Sequence, residues 1–335
     1  MNVREIEDLF YLNIHELGKM ADEINGRIST FSVNRHINYT NVCTSRCPIC
    51  AYYRETGYVM SVEDVVRDAV SAINAGAREL HIVGSHNPEI EVEYFERILT
   101  EIRRRAGNGV TIKALTATEV HYYSRKENMS VREFLSRLRD AGLDMLPGGG
   151  AEILVERIRK MISPNKANSK RWLKIMKTAH ELGIKSNATM LFGHMESLRD
   201  RAIHLEKLRK LQEKTGGFVA FIPLVFHPEN TSFDHVSRTS PQDILRTVAV
   251  SRIVLDNFRG IKAYWVMMGE KLAQVALNYG ANDVDGTVMG EKIAHSAGAK
   301  TPAMLTKEKL VQMIKNAGKI PAERDAFFNI LEVLN

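Results

Sequence analysis

Cys43-Thr44-Ser45-Arg46-Cys47-Pro48-Ile49-Cys50, reading C-T-S-R-C-P-I-C directly after the apolar-polar run Phe31 to Tyr39, holds the only three cysteines in 335 residues. Three is an odd number for disulfides, and thiolates this close together suit an iron-sulfur or zinc centre. Three thiolates leave one iron of a four-iron cluster free for another ligand. A structural zinc completed by His36 or His86 is the other reading of the same spacing.

Downstream of this loop the pattern alternates helix and strand. Ser61 opens a helix with Asp64 three positions later; Val62, Val65, Val66, Ala69, Val70 and Ile73 line one face, and Gly76 stops it. The strand Glu79 to Val83 follows. The unit then recurs: helix Glu93 to Ala106 with strand Val110 to Leu115, helix Ser130 to Ala141 with strand Leu143 to Pro147, and helix Asn168 to Leu182 with strand Lys185 to Phe192. Helix Ser197 to Lys214 precedes strand Phe218 to Leu224, and helix Pro241 to Phe258 precedes strand Ile261 to Val266. A helix Gly269 to Tyr279 leads to a candidate eighth strand near Val284 to Val288. Helical crossovers imply parallel pairing, so the expected fold is α/β, a TIM-like (β/α) barrel. No linker rich in Pro, Gly or Ser divides the chain. One domain is expected over residues 1–335, with N-terminal helices to 30, the barrel over 31–290 and C-terminal helices over 291–335.

In such a barrel chemistry gathers at the C-terminal ends of the strands, and the unusual residues follow that rule. The cysteines come after the first strand, Gly84-Ser85-His86-Asn87 after the second, Thr116-Ala117-Thr118-Glu119 after the third and Pro147-Gly148-Gly149-Gly150 after the fourth. Gly193-His194-Met195-Glu196 follows the fifth, Phe226-His227-Pro228-Glu229-Asn230 the sixth and Trp265-Val266-Met267-Met268-Gly269 the seventh.

A content of 44% hydrophobic and 26% charged residues fits an ordinary packed core. No apolar run approaches the roughly 20 residues that cross a bilayer. Met1 to Phe10 carries Arg4, Glu5, Glu7 and Asp8 where an export signal needs an apolar centre, so a cytoplasmic protein without membrane insertion is expected. The formal charge of +6 is dispersed among 40 acids, which argues against a nucleic-acid partner and suits attraction of a small carboxylate.

The C-x3-C-x2-C spacing after a first barrel strand resembles that of the radical S-adenosylmethionine (SAM) enzymes. The resemblance implies a [4Fe-4S] cluster on Cys43, Cys47 and Cys50 whose open iron chelates SAM, and reductive cleavage of SAM to methionine and a 5'-deoxyadenosyl radical. Gly84-Ser85-His86 stands at the place of a Gly-Gly-acid turn that receives the SAM amino group, although the second glycine and the acid are absent here. Leu191 to Glu196 resembles the tail of the fifth-strand motif bordering adenine, and Ile222-Pro223 the apolar contact at the sixth. The implied cofactor-binding residues are therefore Gly84, Ser85, Glu119, Asn187, Glu196, Ile222 and Pro223. Ile49 stands where an aromatic commonly packs on adenine, a role Tyr52 or Tyr53 can take over.

Leu146 to Ile153, Ser186 to His194, Thr215 to Phe218, Phe221 to Thr231, Lys262 to Trp265 and Gly280 to Thr287 are similar to the menaquinone-related group of these enzymes. That group includes aminodeoxyfutalosine (aminofutalosine) synthase and its sister, cyclic dehypoxanthinylfutalosine synthase. Phe221 to Thr231 and Gly280 to Thr287 favour the synthase. In the synthase the radical adds to the vinyl carbon of 3-[(1-carboxyvinyl)oxy]benzoate, and rearrangement with loss of a carboxylate gives aminodeoxyfutalosine; in the cyclase it abstracts hydrogen. Read onto this chain, His194 and His227 are the catalytic candidates. His86, Asn87, Gly148, Gly149, Gly150 and Asn230 are the substrate-binding candidates. Arg54, Arg125 and Arg159 suit bidentate carboxylate binding if they face inward. A flavodoxin or ferredoxin is the implied electron donor.

Simpler roles stand beside these. The triple glycine also reads as a strand-to-helix turn, His194 and His227 as satisfied structural histidines, and Glu119 and Glu196 as caps of local amides. Asp283 and Asp285 read as turn formers before Gly286, and Trp265, Met267 and Met268 as core. A non-catalytic metal-binding scaffold is the rival of another class.

Overall fold

What reads as one strand, Phe31 to Tyr39, is two in the computed structural model, which describes residues 1–334. β1 (Ile28–Ser32) and β2 (Asn34–Asn38) part at Val33 and enter different sheets. β2 starts a seven-stranded parallel sheet that continues in chain order through β3 (Glu79–Val83), β4 (Thr111–Ala114), β5 (Met145–Leu146), β6 (Lys185–Phe192), β7 (Phe218–Val225) and β8 (Gly260–Ile261). Every pairing is parallel because at least one helix of ten or more residues carries the chain back between consecutive strands. The helices start where the sequence caps them: Ser61, Ser130, Asn168 and Ser197 each accept a backbone N–H of the first turn.

Three expectations need correction. The seventh strand ends at Ile261, and Trp265–Met268 is a short helical turn closed by Gly269 N donating to Trp265 O at 2.8 Å, with the buried Trp265 ring held by its Nε1 donating to Gly286 O at 2.8 Å. The C-terminal stretch is not all helical. After helix Lys307–Asn316, Gly318 at φ +75° turns the chain into a hairpin of β10 (Ile320–Arg324) and β11 (Ile330–Val333). Arg324 is buried against Asp283 at 2.5 Å, a pairing that extended backbone delivers. Finally, the candidate eighth strand is β9 (Asp283–Gly286), which belongs with β1, β10 and β11 in a second sheet of order β11-β10-β1-β9. Single bridges, Lys262 to Asp283 and Arg35 to Met289, tie this segment to both margins of the seven-stranded sheet. The sheet is thus a curled partial barrel whose open side is spanned by residues 283–289.

Side chains alternate along each strand. On β3, Leu80 and Ile82 face the helix layer and join a core with Val66, Phe95 and Leu99, whereas Glu79, His81 and Val83 face the interior of the curl. The floor of the curl is polar and charged while Val83, Leu191, Ile222, Leu224 and Phe226 line its flank, and the space between stays open. Among the described residues no helix is long and apolar enough to cross a membrane.

Candidate functional site

A cavity of about 300 Å³ opens at the C-terminal ends of the strands and runs down into the curl. Cys43, Cys47 and Cys50 line its mouth, with Gly84, Ser85 and His86 beside them and Gly148, Gly149 and Gly150 across. Deeper in it lie His36, Glu79, His81, Lys113, Lys262 and Asp285.

The cysteine loop is held from several sides. Cys43 N donates to Arg54 O (3.1 Å), Thr44 N to His86 O (3.0 Å), Cys50 N to Cys47 O (3.0 Å) and Ser232 N to Pro48 O (2.9 Å). Burial pushes the Cys47 thiol up to about 11, while the Lys166 ammonium pulls the other way. Lys166 sits on the same wall, its Nζ 2.8 Å from Glu152 Oε1. Three soft donors on a braced loop beside an open chamber fit an iron-sulfur cluster with one iron left for a small ligand. The zinc reading is not assembled. Among the described residues no three His, Cys, Asp or Glu side chains are placed to hold one metal ion, and His36 lies down on β2.

Glu119 ties three strand ends together. Its Oε1 accepts from the Tyr39 hydroxyl (2.6 Å) and from Gly84 N (3.0 Å), and its Oε2 accepts from Thr116 N (2.7 Å). A Cβ on Gly84 would lie 2.6 Å from the Tyr39 ring, so the glycine lets strand and tyrosine close together. The triple glycine is likewise demanded by packing: a Cβ on Gly148 would lie 2.6 Å from Ala188 backbone, and Gly150 has φ +77°. Both the amide-capping reading of Glu119 and the turn reading of the glycines describe real contacts, and all four residues still line the cavity.

The two candidate histidines separate. His227 lines the cavity; its Nε2 donates to Met267 O at 2.7 Å, which leaves Nδ1 as a lone-pair acceptor, buried and without a partner in the protein. His194 does not line it. Its Nε2 faces Leu191 O (3.1 Å), and its Nδ1 lies 2.7 Å from Met195 N and 3.0 Å from Glu196 Oε2. Burial would raise the Glu196 carboxyl, but His194, Arg201 and the Gly193 amide outweigh it and hold it at about 2. Glu196 therefore braces the turn after β6.

Several other expectations are corrected by placement. Asn87 is buried with its Nδ2 on Thr40 Oγ1 at 3.1 Å, Asn230 donates outward to Ser296 O at 3.0 Å, and Pro223 points away from the chamber that Ile222 and Asn187 line. None of the three arginines reaches it. Arg54 is exposed and folds onto the carbonyls of Ala51 and Tyr53, and Arg125 is exposed near a helix end. Arg159 is buried but spent on the carbonyls of Gly150, Ala151 and Ala167.

Sequence reasoning missed the polar floor. Lys113 pairs with Glu79, and Lys262 Nζ lies 2.5 Å from Asp285 Oδ1. Burial pulls Lys113 down to about 8 even with Glu79 opposing it. The available signal was Glu79 and His81 alternating with Leu80 and Ile82 in a strand flanked by amphipathic helices.

Comparison with known proteins adds to this geometry. A family model for the radical SAM superfamily matches residues 37–208, and one for the CofH/MqnC C-terminal region matches residues 215–335. Aminodeoxyfutalosine synthase of Thermus thermophilus is 41% identical over 316 residues, covering 92% of this chain and 85% of that protein. Cyclic dehypoxanthine futalosine synthase of Streptomyces coelicolor is 36% identical, covering 96% and 82%. A 5-amino-6-(D-ribitylamino)uracil–L-tyrosine 4-hydroxyphenyl transferase of Methanosarcina mazei is also 36% identical, covering 96% and 86%. In fold, methylornithine synthase superimposes with a TM-score of 0.77 at 16% identity, covering 96% of this chain and 94% of that one.

Proposed function

Because the chain belongs to the radical SAM superfamily, and its relatives include both futalosine-pathway enzymes, we propose that it is an aminodeoxyfutalosine synthase. It would join the adenosyl group of SAM to 3-[(1-carboxyvinyl)oxy]benzoate with loss of one carboxylate. What carries the reading is the 41% identity to a synthase, together with a cavity that has three thiols at its mouth and room over a polar floor for a second ligand.

Bound to Cys43, Cys47 and Cys50, a [4Fe-4S] cluster with SAM supplies a 5'-deoxyadenosyl radical. The chain's own residues position and shield. Gly84 and Ser85 present backbone at the mouth, Gly148 to Gly150 leave the opposite wall without side chains, and Leu191, Ile222, Leu224 and Phe226 make an apolar flank that keeps water from the reacting carbon. Of the two candidate histidines only His227 lines the chamber, and with its Nε2 fixed on Met267 O it serves as a held part of the wall.

The test is anaerobic incubation of the reconstituted enzyme with dithionite, adenosyl-labelled SAM and the enol-ether benzoate, followed by mass analysis. Label incorporated into one adduct supports the synthase. The cyclase relative favours a second reading, in which dehypoxanthinylfutalosine is consumed and unlabelled product appears beside labelled 5'-deoxyadenosine.

A further inference from the structure

The lysines that line the cavity are Lys113, Lys166 and Lys262, and each already faces a carboxylate of the same wall: Glu79, Glu152 and Asp285 respectively. Glu119 and Glu291 line it as well, and no arginine does. This suits a cationic sulfonium nucleoside at the mouth. It is a poor reception for a carboxylate at the floor, where every cation is committed and an uncompensated charge is costly.

Two side chains on that floor are uncommitted. His36 of β2 and His81 of β3 are register partners, and their rings lie against each other, tilted at 33° with centroids 4.4 Å apart. Both line the cavity. The charged groups facing them come from every neighbouring strand: Glu79 from β3, Lys113 from β4 and Asp285 from β9, with Glu291 beyond and acting on His36. Burial holds both imidazoles below their ordinary value, so the pair is neutral at pH 7. Asn187 of β6, 3% exposed, lines the same space with its Oδ1 unpartnered in the protein. The positive charge of the floor is balanced by its own carboxylates, and the paired histidines are the groups there that can take up more.

We propose that the His36–His81 pair receives a carboxylate of the acceptor substrate and that one proton enters from solvent with it. The inference rests on the reading that the acceptor is an aromatic carboxylate. A carboxylate at hydrogen-bond distance favours imidazolium over imidazole, and the proton taken up balances the charge the ligand brings. Lys113–Glu79 and Lys262–Asp285 then stay intact as the frame around the pair.

Calorimetric titration of the anaerobically reconstituted full chain with 3-methoxybenzoate, in two buffers of different ionisation enthalpy, reads the proton directly. The expected result is uptake of about one proton per ligand, with the apparent Kd rising about tenfold per pH unit once the free pair is neutral. His36→Asn and His81→Asn should each weaken the benzoate at least tenfold and abolish the uptake, while S-adenosylhomocysteine binding at the mouth is kept. Absence of benzoate binding, binding without uptake, or binding unchanged in both variants overturns the proposal; the second outcome would mean that a lysine exchanges its partner. The wild-type titration needs no variant to fold. Adduct formation is scored separately, so a chain that makes the adduct without proton uptake loses only this inference, and one that takes up the proton but makes no adduct loses only the synthase reading.

Discussion

Lys166 and Glu152 form a half-buried ion pair, Nζ to Oε1 2.8 Å, in the wall that also carries Cys47 and Cys50. Burial disfavours the ammonium, but Glu152 outweighs it, so Lys166 stays charged well past neutral pH. Lys166→Met removes positive charge beside the cluster and should move its midpoint potential negative, whereas Glu152→Gln should move it positive. The double variant should return toward wild type. Potentiometric titration followed by electron paramagnetic resonance reads all three, and equal potentials in both single variants would refute the coupling.

Tyr39→Phe tests the brace at the strand ends. The hydroxyl donates to a carboxylate that also holds Gly84 N and Thr116 N, and both residues are buried or line the cavity. A hydrogen bond to a charged group contributes about 2 kcal/mol, so the urea midpoint should fall accordingly. Because Gly84 is placed through Glu119, the Kd for S-adenosylhomocysteine should rise as well. An unchanged midpoint would show that Glu119 holds the turn without the tyrosine.

The triple glycine gives a graded prediction. Gly148→Ala would drive a methyl to 2.6 Å from Ala188 backbone, which has nowhere to go, and should cost more than the ~1–3 kcal/mol typical of overpacking. Gly149→Ala meets only the Thr116 methyl at 2.9 Å and should cost less. Thermal melts of the two variants check the order, and Gly149→Ala melting below Gly148→Ala contradicts it.

The parts of this molecule that were legible in sequence are those whose cause is local. Ser61, Ser130, Asn168 and Ser197 announce helix starts, and β3 and β6 were bounded as observed because alternation and flanking turns both mark them. Helix Ala117–Lys126 is not evident from apolar periodicity, although Thr116 and Glu119 form its capping box, because its first turn coincides with the polar rim segment after β4. The second sheet was not legible because β1 pairs with strands more than 250 residues away. At the site, the cysteines declared themselves by spacing. The floor did not, since Glu79, Lys113, Lys262 and Asp285 are ordinary in isolation and meet only when the sheet curls. His194 and His227 occupy equivalent rim positions, and rim position does not fix which way a loop side chain turns.

The segment that covers the cavity beyond β9 carries its own pH dependence. Glu291, Ile293, Ala294 and Ala297 line the chamber, and Glu291 Oε1 accepts from the amides of Ile293 (2.7 Å) and Ala294 (2.9 Å). His295 Nδ1 lies 3.1 Å from Glu291 Oε2, and its Nε2 3.1 Å from Thr301 O. With both nitrogens facing acceptors, the Glu291 contact, against the opposing pull of burial, lifts the imidazole to about 9. A group raised on folding stabilises fully below its unfolded value and ceases to as pH climbs through the folded one. Protection of the 293–299 amides, corrected for intrinsic exchange, should therefore be constant below about pH 6.5 and decline toward pH 9. His295→Gln should flatten that profile at the lower level. Wild-type protection that does not change between pH 6.5 and 9 would mean that Glu291 anchors the segment through its amide contacts alone.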